Sequence, residues 1–187
     1  MRIIAGRLRG RKIKAPKGLA TRPVLARVRE ALFTILGDMN GLRFLDLYAG
    51  TGSIGIEALS RGAESAVFVE FGSVQCRVIR ENLASFEHNA LVIRADVGRA
   101  LKKLTRQGRT FDVVFADPPY EQGLSQQTVR DVCSGELLGE TGILAVTSRN
   151  SEELPEKVGA FELIDNRKYG DTKLSFYTNT AEQRTLA

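Results

Sequence analysis

Short apolar runs alternate with stretches of helical spacing along most of this chain. Val28 to Leu36 places Ala31, Leu32, Ile35 and Leu36 on one face of a short amphipathic helix, with Gly37 and Gly41 at its exit. Phe44–Leu47 reads as a strand, followed by a glycine turn and a helix from Ser53 to Arg61 that stops at Gly62. Ala66–Val69 is a second strand, after which Val74, Val78, Ile79 and Leu83 recur at helical spacing. Leu91–Ile93 and Val97–Gln107 repeat the strand–helix alternation, with Gly108 as the stop. Phe111–Ala116 is apolar apart from Asp112, as expected of a central strand covered on both faces. A helix at Gln126–Val132 and a strand at Ile143–Val146 follow. Phe161–Asn166 and Leu174–Tyr177, separated by a segment containing Gly170-Asp171, read as a closing hairpin. The pattern predicts an α/β fold: a doubly wound, mostly parallel, seven-stranded Rossmann-like sheet, an antiparallel C-terminal hairpin and a small N-terminal arm. Residues 1–27 are read as the arm and 28–187 as the body, with a polar, frayed end from about Thr180.

Composition narrows the class. Hydrophobic residues make up 43% and charged residues 26% of the 187, enough apolar material for a sizeable core and too much for a disordered chain. The formal charge of +5 is unevenly placed. Residues 1–30 hold ten basic side chains and one acid, so the arm carries +9 and the remainder −4, which points to a polyanionic partner. Cys76 and Cys133 have no metal-ligand spacing, and His88 is the only histidine. A zinc site, a Ser-His-Asp triad and a Cys-His dyad are therefore not expected. The absence of a bilayer-length apolar run and of a secretory h-region fits a soluble, reducing, cytoplasmic setting.

The first chemical signal is Asp46-Leu47-Tyr48-Ala49-Gly50-Thr51-Gly52-Ser53-Ile54-Gly55. Gly50, Gly52 and Gly55 satisfy G-x-G-x-x-G, and Glu70 follows Gly50 by twenty residues at the end of the next strand. The same glycines also suit a tight turn without ligand; the acid at the right offset favours a nucleotide. Asp46 then selects among nucleotides, because a carboxylate beside a pyrophosphate is unfavourable. It suits S-adenosylmethionine, whose sulfonium and ammonium groups are cationic. Glu70 is placed to accept from two ribose hydroxyls and Asp96 from an adenine amine, with Tyr48, Ala49, Thr51 and Val97 lining the same site. Asp96 also fits a plain helix N-cap.

The second signal is Asp117-Pro118-Pro119-Tyr120, directly after the fourth strand. Two prolines fix the backbone and remove two donors. The Pro118 carbonyl and the Asp117 carboxylate are then two fixed acceptors for the hydrogens of an exocyclic amine, and Tyr120 offers a face on which a base stacks. Attack on an activated methyl group requires no metal, histidine or covalent intermediate, and alignment supplies most of the rate.

These residues resemble the class I S-adenosylmethionine-dependent methyltransferases, and Asp-Pro-Pro-Tyr resembles their amino-group subset. Arg2-Ile3-Ile4-Ala5-Gly6, Arg9-Gly10-Arg11-Lys12, Arg22-Pro23 and Arg27-Val28-Arg29-Glu30-Ala31-Leu32-Phe33 are similar to the start of the bacterial 16S rRNA guanine-N2 methyltransferases of the RsmD type. Leu45 to Gly52, Glu57 to Ala63, Asn82-Leu83 and Tyr169-Gly170-x-Thr172-x-Leu174 continue the likeness over nearly the whole chain. The resemblance implies methyl transfer to N2 of a guanine in small-subunit ribosomal RNA, free or in an assembling particle. It also implies that Asp46, Gly50, Gly52, Glu70 and Asp96 hold the cofactor and Asp117 to Tyr120 hold the base. One segment departs: Val24 and Ala26 stand where the family usually has Thr and Asp, so polar contacts expected there are missing.

The arm is expected to lie along RNA phosphates through Arg2, Arg7, Arg9, Arg11, Lys12, Lys14, Arg22, Arg27 and Arg29. Ile3, Ile4, Leu8 and Ile13 between these cations suit a hairpin-like platform docked on the body. The competing readings are a DNA or other RNA amino-methyltransferase (adenine N6 or cytosine N4), an NAD-dependent oxidoreductase and a non-enzymatic RNA-binding protein. Nothing in the pattern demands more than a monomer.

Overall fold

A computed structural model describes residues 1–15, 23–84, 89–120 and 123–180. The elements in chain order are α1 (Pro23–Leu36), β1 (Arg43–Leu47), α2 (Ser53–Ser60), β2 (Ser65–Glu70), α3 (Ser73–Leu83), β3 (Ala90–Arg94), α4 (Val97–Arg106), β4 (Phe111–Ala116), α5 (Leu124–Cys133), β5 (Leu138–Arg149), β6 (Lys157–Val158), β7 (Phe161–Tyr169) and β8 (Thr172–Asn179). They form one sheet in the order β3-β2-β1-β4-β5-β8-β7-β6. β1 to β5 are parallel; β8 joins β5 antiparallel, and β7 and β6 continue antiparallel. The eight strands exceed the seven read from the pattern by β6, two residues at the sheet edge. α1 starts at Pro23 rather than Val28, consistent with proline's preset φ at a first helical position. His88, Arg22 and the terminal residues from 181 lie outside the described residues.

The period-two alternation of the strands divides the core in two. Phe44, Phe68, Val113, Phe115 and Ala145 point to one side, where α1, α2 and α3 pack together with Ile3, Leu8 and Ile13 of the arm. Leu45, Leu47, Val67, Val114 and Val146 point to the other, under α4 and α5. Both cysteines are buried and unpaired, and burial pushes the Cys133 thiol up to about 12. Among the described residues no helix is long and apolar enough to cross a membrane.

α2 approaches β2 so closely that Gly55 leaves no room for a side chain: a Cβ there would stand 2.3 Å from Cε1 and 2.7 Å from Cζ of the fully buried Phe68. Gly55→Ala must therefore push the helix off the sheet. Overpacking of this kind costs typically about 1–3 kcal/mol. A chain of this size loses roughly 2–4 °C per kcal/mol, so a clear fall in Tm is expected by calorimetry. An unchanged Tm would show that the helix moves freely.

Candidate active site

The strand order reverses at β1, whose neighbours are β2 and β4, so a crevice opens beyond the carboxyl ends of β1 and β4. Asp46 is on β1, Glu70 ends β2, Asp96 follows β3 and Asp117 follows β4. The sheet thus sets four acids in a row along this edge. No ion pair to Asp46, Glu70 or Asp96 is present among the described residues.

Each acid is held differently. Asp46 shares its strand face with Phe44, so its side chain points under α2 and is buried. Its Oδ2 accepts from the Gly55 N–H at 2.9 Å. Burial pushes this carboxyl well above the usual carboxylate range; the Gly55 bond opposes the shift, and the Asp117 and Glu70 charges reinforce it. Asp46 is therefore part of the floor of the crevice, less open than the sequence suggests. Glu70 uses both oxygens on backbone: Oε2 accepts from Gly50 N–H at 2.9 Å and Oε1 from Gly72 N–H at 2.7 Å. A carboxylate has about four acceptor sites, so each oxygen keeps capacity for a further donor. Asp96 caps α4, Oδ1 accepting from Gly98 N–H at 2.9 Å and Arg99 N–H at 3.4 Å. Its capping role is thus real, and Oδ2 stands beside it as a second acceptor.

The glycine turn is closed by Gly52 N–H donating to the Ala49 carbonyl at 2.7 Å. Tyr48, at φ +58°, is the one non-glycine residue with left-handed backbone among the described residues, and its hydroxyl meets Thr128 Oγ1 at 3.0 Å. Strain of this kind concentrates at ligand sites. Asn82 of α3 donates through Nδ2 to the Thr51 carbonyl at 3.2 Å and to the Lys14 carbonyl at 3.1 Å. One side chain therefore joins the turn to the arm. Val97, the first residue of α4, is buried.

At the Asp117–Tyr120 turn, Thr147 on β5 donates its hydroxyl to Asp117 Oδ1. The parallel register that pairs Ala116 with Val146 brings these two residues side by side. Pro118 is buried, Pro119 exposed, and Tyr120 is tied by its hydroxyl to Thr172 Oγ1 at 2.7 Å, with the Arg149 guanidinium 5.9 Å from its ring centroid. Sequence reasoning missed Thr147 and Arg149. It also missed Phe71, an aromatic ring 76% exposed directly after Glu70. An aromatic residue directly after a strand end was the available signal, and its exposure sets it on the surface rather than in the core.

The arm folds back on itself through an Arg2–Lys12 antiparallel bridge and docks on α2. Glu57, buried, accepts from the Ile4 N–H at 2.8 Å, the Ala5 N–H at 2.9 Å and Arg61 Nε at 3.0 Å. Ser60 donates to the Ala5 carbonyl at 2.6 Å and accepts from the Leu8 N–H at 3.0 Å. Arg2, Arg7, Arg9, Arg11, Lys12, Lys14 and Arg27 are exposed. Arg29 corrects the sequence reading. It is 3% exposed, and Nη2 donates to the Arg2 carbonyl at 2.9 Å, so it braces the arm from beneath and faces no solvent where a phosphate would lie. Among the described residues, no group of His, Cys, Asp and Glu is arranged to hold a metal ion.

The family model described as conserved hypothetical protein 95 matches residues 1–178. YlbH of Bacillus subtilis (strain 168) is 36% identical over 180 residues, covering 95% of this chain and 98% of that protein. The ribosomal RNA small subunit methyltransferase D of Escherichia coli (strain K12) is 32% identical over 184 residues, covering 97% and 91%. The solved structure of yhhF from Escherichia coli superposes with a TM-score of 0.82 at 30% identity, covering 97% of this chain and 99% of that one.

Proposed function

The chain belongs to the family described as conserved hypothetical protein 95, that of ribosomal RNA small subunit methyltransferase D, and from that membership we propose its reaction. It methylates the exocyclic N2 amine of a guanine in 16S ribosomal RNA, with S-adenosylmethionine as the methyl donor. The observation that carries this reading is the row of acids at the topological switch point, without cationic partners for Asp46, Glu70 and Asp96 among the described residues. Such a crevice attracts a cationic cofactor and repels a pyrophosphate.

The residues fit the cofactor. Tyr48 to Gly52 would form the wall around it, with the buried Asp46 carboxyl as the floor beneath the turn. Glu70 would take ribose hydroxyls on its remaining acceptor sites, Asp96 an adenine amine on Oδ2, and the exposed Phe71 ring the flat face of the purine, with Val97 beneath. The bound group supplies a methyl carbon activated by its sulfonium charge. The chain supplies orientation: Asp117 and the Pro118 carbonyl accept the two N2 hydrogens, turning the nitrogen lone pair out of the ring system. Asp117 would then receive the proton that the nitrogen loses as the nitrogen–carbon bond forms and the carbon–sulfur bond breaks, the electron pair leaving with sulfur as a neutral thioether. Tyr120, fixed by Thr172, is the platform for the guanine ring. The arm, through its exposed cations, would hold the RNA phosphates that the crevice itself repels.

Two measurements test the reading. Titration calorimetry is expected to show binding of S-adenosylhomocysteine and none of NAD. Undermethylated small-subunit RNA incubated with labelled cofactor is expected to yield N2-methylguanosine on digestion and mass spectrometry. Label in N6-methyladenosine or N4-methylcytidine would replace guanine as the target, and binding of NAD alone would replace the reaction.

A further inference from the structure

The body's −4 conceals a second separation of charge. Residues 97–109 contain Arg99, Lys102, Lys103, Arg106 and Arg109 and no acid, which leaves −9 on the rest of the body. Arg99, Lys102, Lys103 and Arg106 stand at i, i+3, i+4 and i+7 of α4, so they form one stripe along its outer face. All are exposed, and none takes part in an ion pair among the described residues. They line, with Gln107 alone, a shallow depression of about 330 Å³.

A solvated helix face would show the same exposure but not the same signs. α3 mixes Glu81 with Arg77 and Arg80 on its exposed positions, and α5 mixes Asp131 with Arg130. Helix-dipole stabilisation accounts for Lys103 and Arg106 in the last turn of α4. It does not account for Arg99 in the first turn, where the dipole disfavours a cation. Mutual repulsion of four cations on a single face is a cost that the fold itself does not require.

Resting on the reading of the chain as an RNA methyltransferase, we propose that the α4 stripe is a second RNA-phosphate surface, separate from the N-terminal arm. α4 packs on the opposite side of the sheet from the arm, α1 and α2. The substrate thus contacts both sides of the molecule, with the crevice on the edge between them. The stripe spans about 10 Å of helix axis, room for about three phosphates at a spacing of ~3.4 Å per duplex strand. This second surface engages a stretch of ribosomal RNA other than the one held by the arm, which favours a folded substrate over a short single strand.

The test is the salt dependence of binding to undermethylated small-subunit RNA, measured for the full chain and for Lys102→Gln/Lys103→Gln/Arg106→Gln. These exposed side chains form no ion pair among the described residues. The repulsion relieved and the helix-dipole stabilisation lost oppose each other, so Tm is expected to shift little and S-adenosylhomocysteine affinity to stay unchanged, which verifies folding. The slope of log affinity against log salt is expected to become shallower by about 2, at ~0.7–0.9 for each phosphate that no longer meets a cation. The same variant is expected to bind a short single-stranded fragment as the parent does. A parent slope retained by the variant overturns the surface while leaving the methyltransferase reading intact. Loss of methylation only on ribosomal particles, with RNA binding unchanged, assigns the stripe to an acidic protein and overturns it too. A parent chain that binds no small-subunit RNA overturns the functional reading and this surface together.

Discussion

Asp117→Ala is expected to lower methyl transfer to small-subunit RNA by about two to four orders of magnitude, the range for a positioned proton acceptor. It is expected to change S-adenosylhomocysteine affinity by less than a few-fold. The two readouts separate because the product lacks the sulfonium charge, so removing one crevice carboxylate costs it little attraction. The loss should fall on kcat, since the carboxylate meets the amine most strongly as nitrogen develops positive charge. Asp117→Asn keeps a carbonyl oxygen for Thr147 but puts an NH2 group on the other side, where it opposes an amine hydrogen. It is expected to recover only a small part of the rate. Thr147→Val keeps the carboxylate and removes the hydroxyl that fixes it. Its expected effect is smaller, about tenfold, because the acceptor itself remains. Full activity in Asp117→Ala would remove this turn from the chemistry.

What made the turn readable was local. Asp-Pro-Pro-Tyr constrains its own backbone, and Phe111–Ala116 before it is apolar enough to identify a central strand without knowledge of its neighbours. Thr147 was unreadable because its role depends on register: only the parallel pairing of β4 with β5 sets it beside Asp117. The same holds for β5, read as Ile143–Val146 and found as Leu138–Arg149. Its first half contains Gly139, Glu140 and Gly142 and pairs with Phe111 only across an irregular register, so apolar content alone could not reveal it. β6 is too short to have a period at all.

Arg29 is a different failure, since its signal was present. Arg29, Leu32, Phe33 and Leu36 share one helical face, and all four are buried. Counting charges placed Arg29 with the RNA-facing cations; following the helical period would have placed it with the core. Its Nε and Nη1 are buried without hydrogen-bond partners among the described residues. Burial lowers its pKa, the Glu57 charge opposes that shift, and Arg61 adds to it. The basic arm is thus not laid loosely over the body. It is fastened through Arg29 below, Glu57 and Ser60 on α2, and Asn82 on α3, so the exposed cations of the arm and the glycine turn share a frame.

Glu57 is the strongest of these fastenings, and Glu57→Ala is expected to cost about 3–5 kcal/mol, the range for breaking a buried charged pair. The substitution removes the acceptor for Ile4 and Ala5 N–H, unpairs Arg61 and takes away the nearest compensation for Arg29. Each orphaned buried donor alone costs about 1–3 kcal/mol. Glu57→Gln is no isostere in this position: both carboxylate oxygens face N–H donors, so its NH2 must oppose one of them. It is expected to lie between the parent and Glu57→Ala. The arm should respond before the body, because the hydrogen bonds that Glu57 accepts come from the arm and from Arg61, not from the sheet. Hydrogen exchange at Ile4 and Ala5 should therefore accelerate by more than exchange in β1 and β4. A second route to the same release is Gly6→Ala. At φ +78°, with a Cβ 1.8 Å from the Ser60 carbonyl oxygen, it cannot be accommodated while the arm stays docked. Combining the two substitutions is expected to cost little more than the larger single effect, since an arm already displaced has no docking left to lose. Full additivity would show that Glu57 stabilises the body independently of the arm. Both variants should also show a shallower salt slope on small-subunit RNA, because cations on an undocked arm no longer present a fixed array to the phosphates.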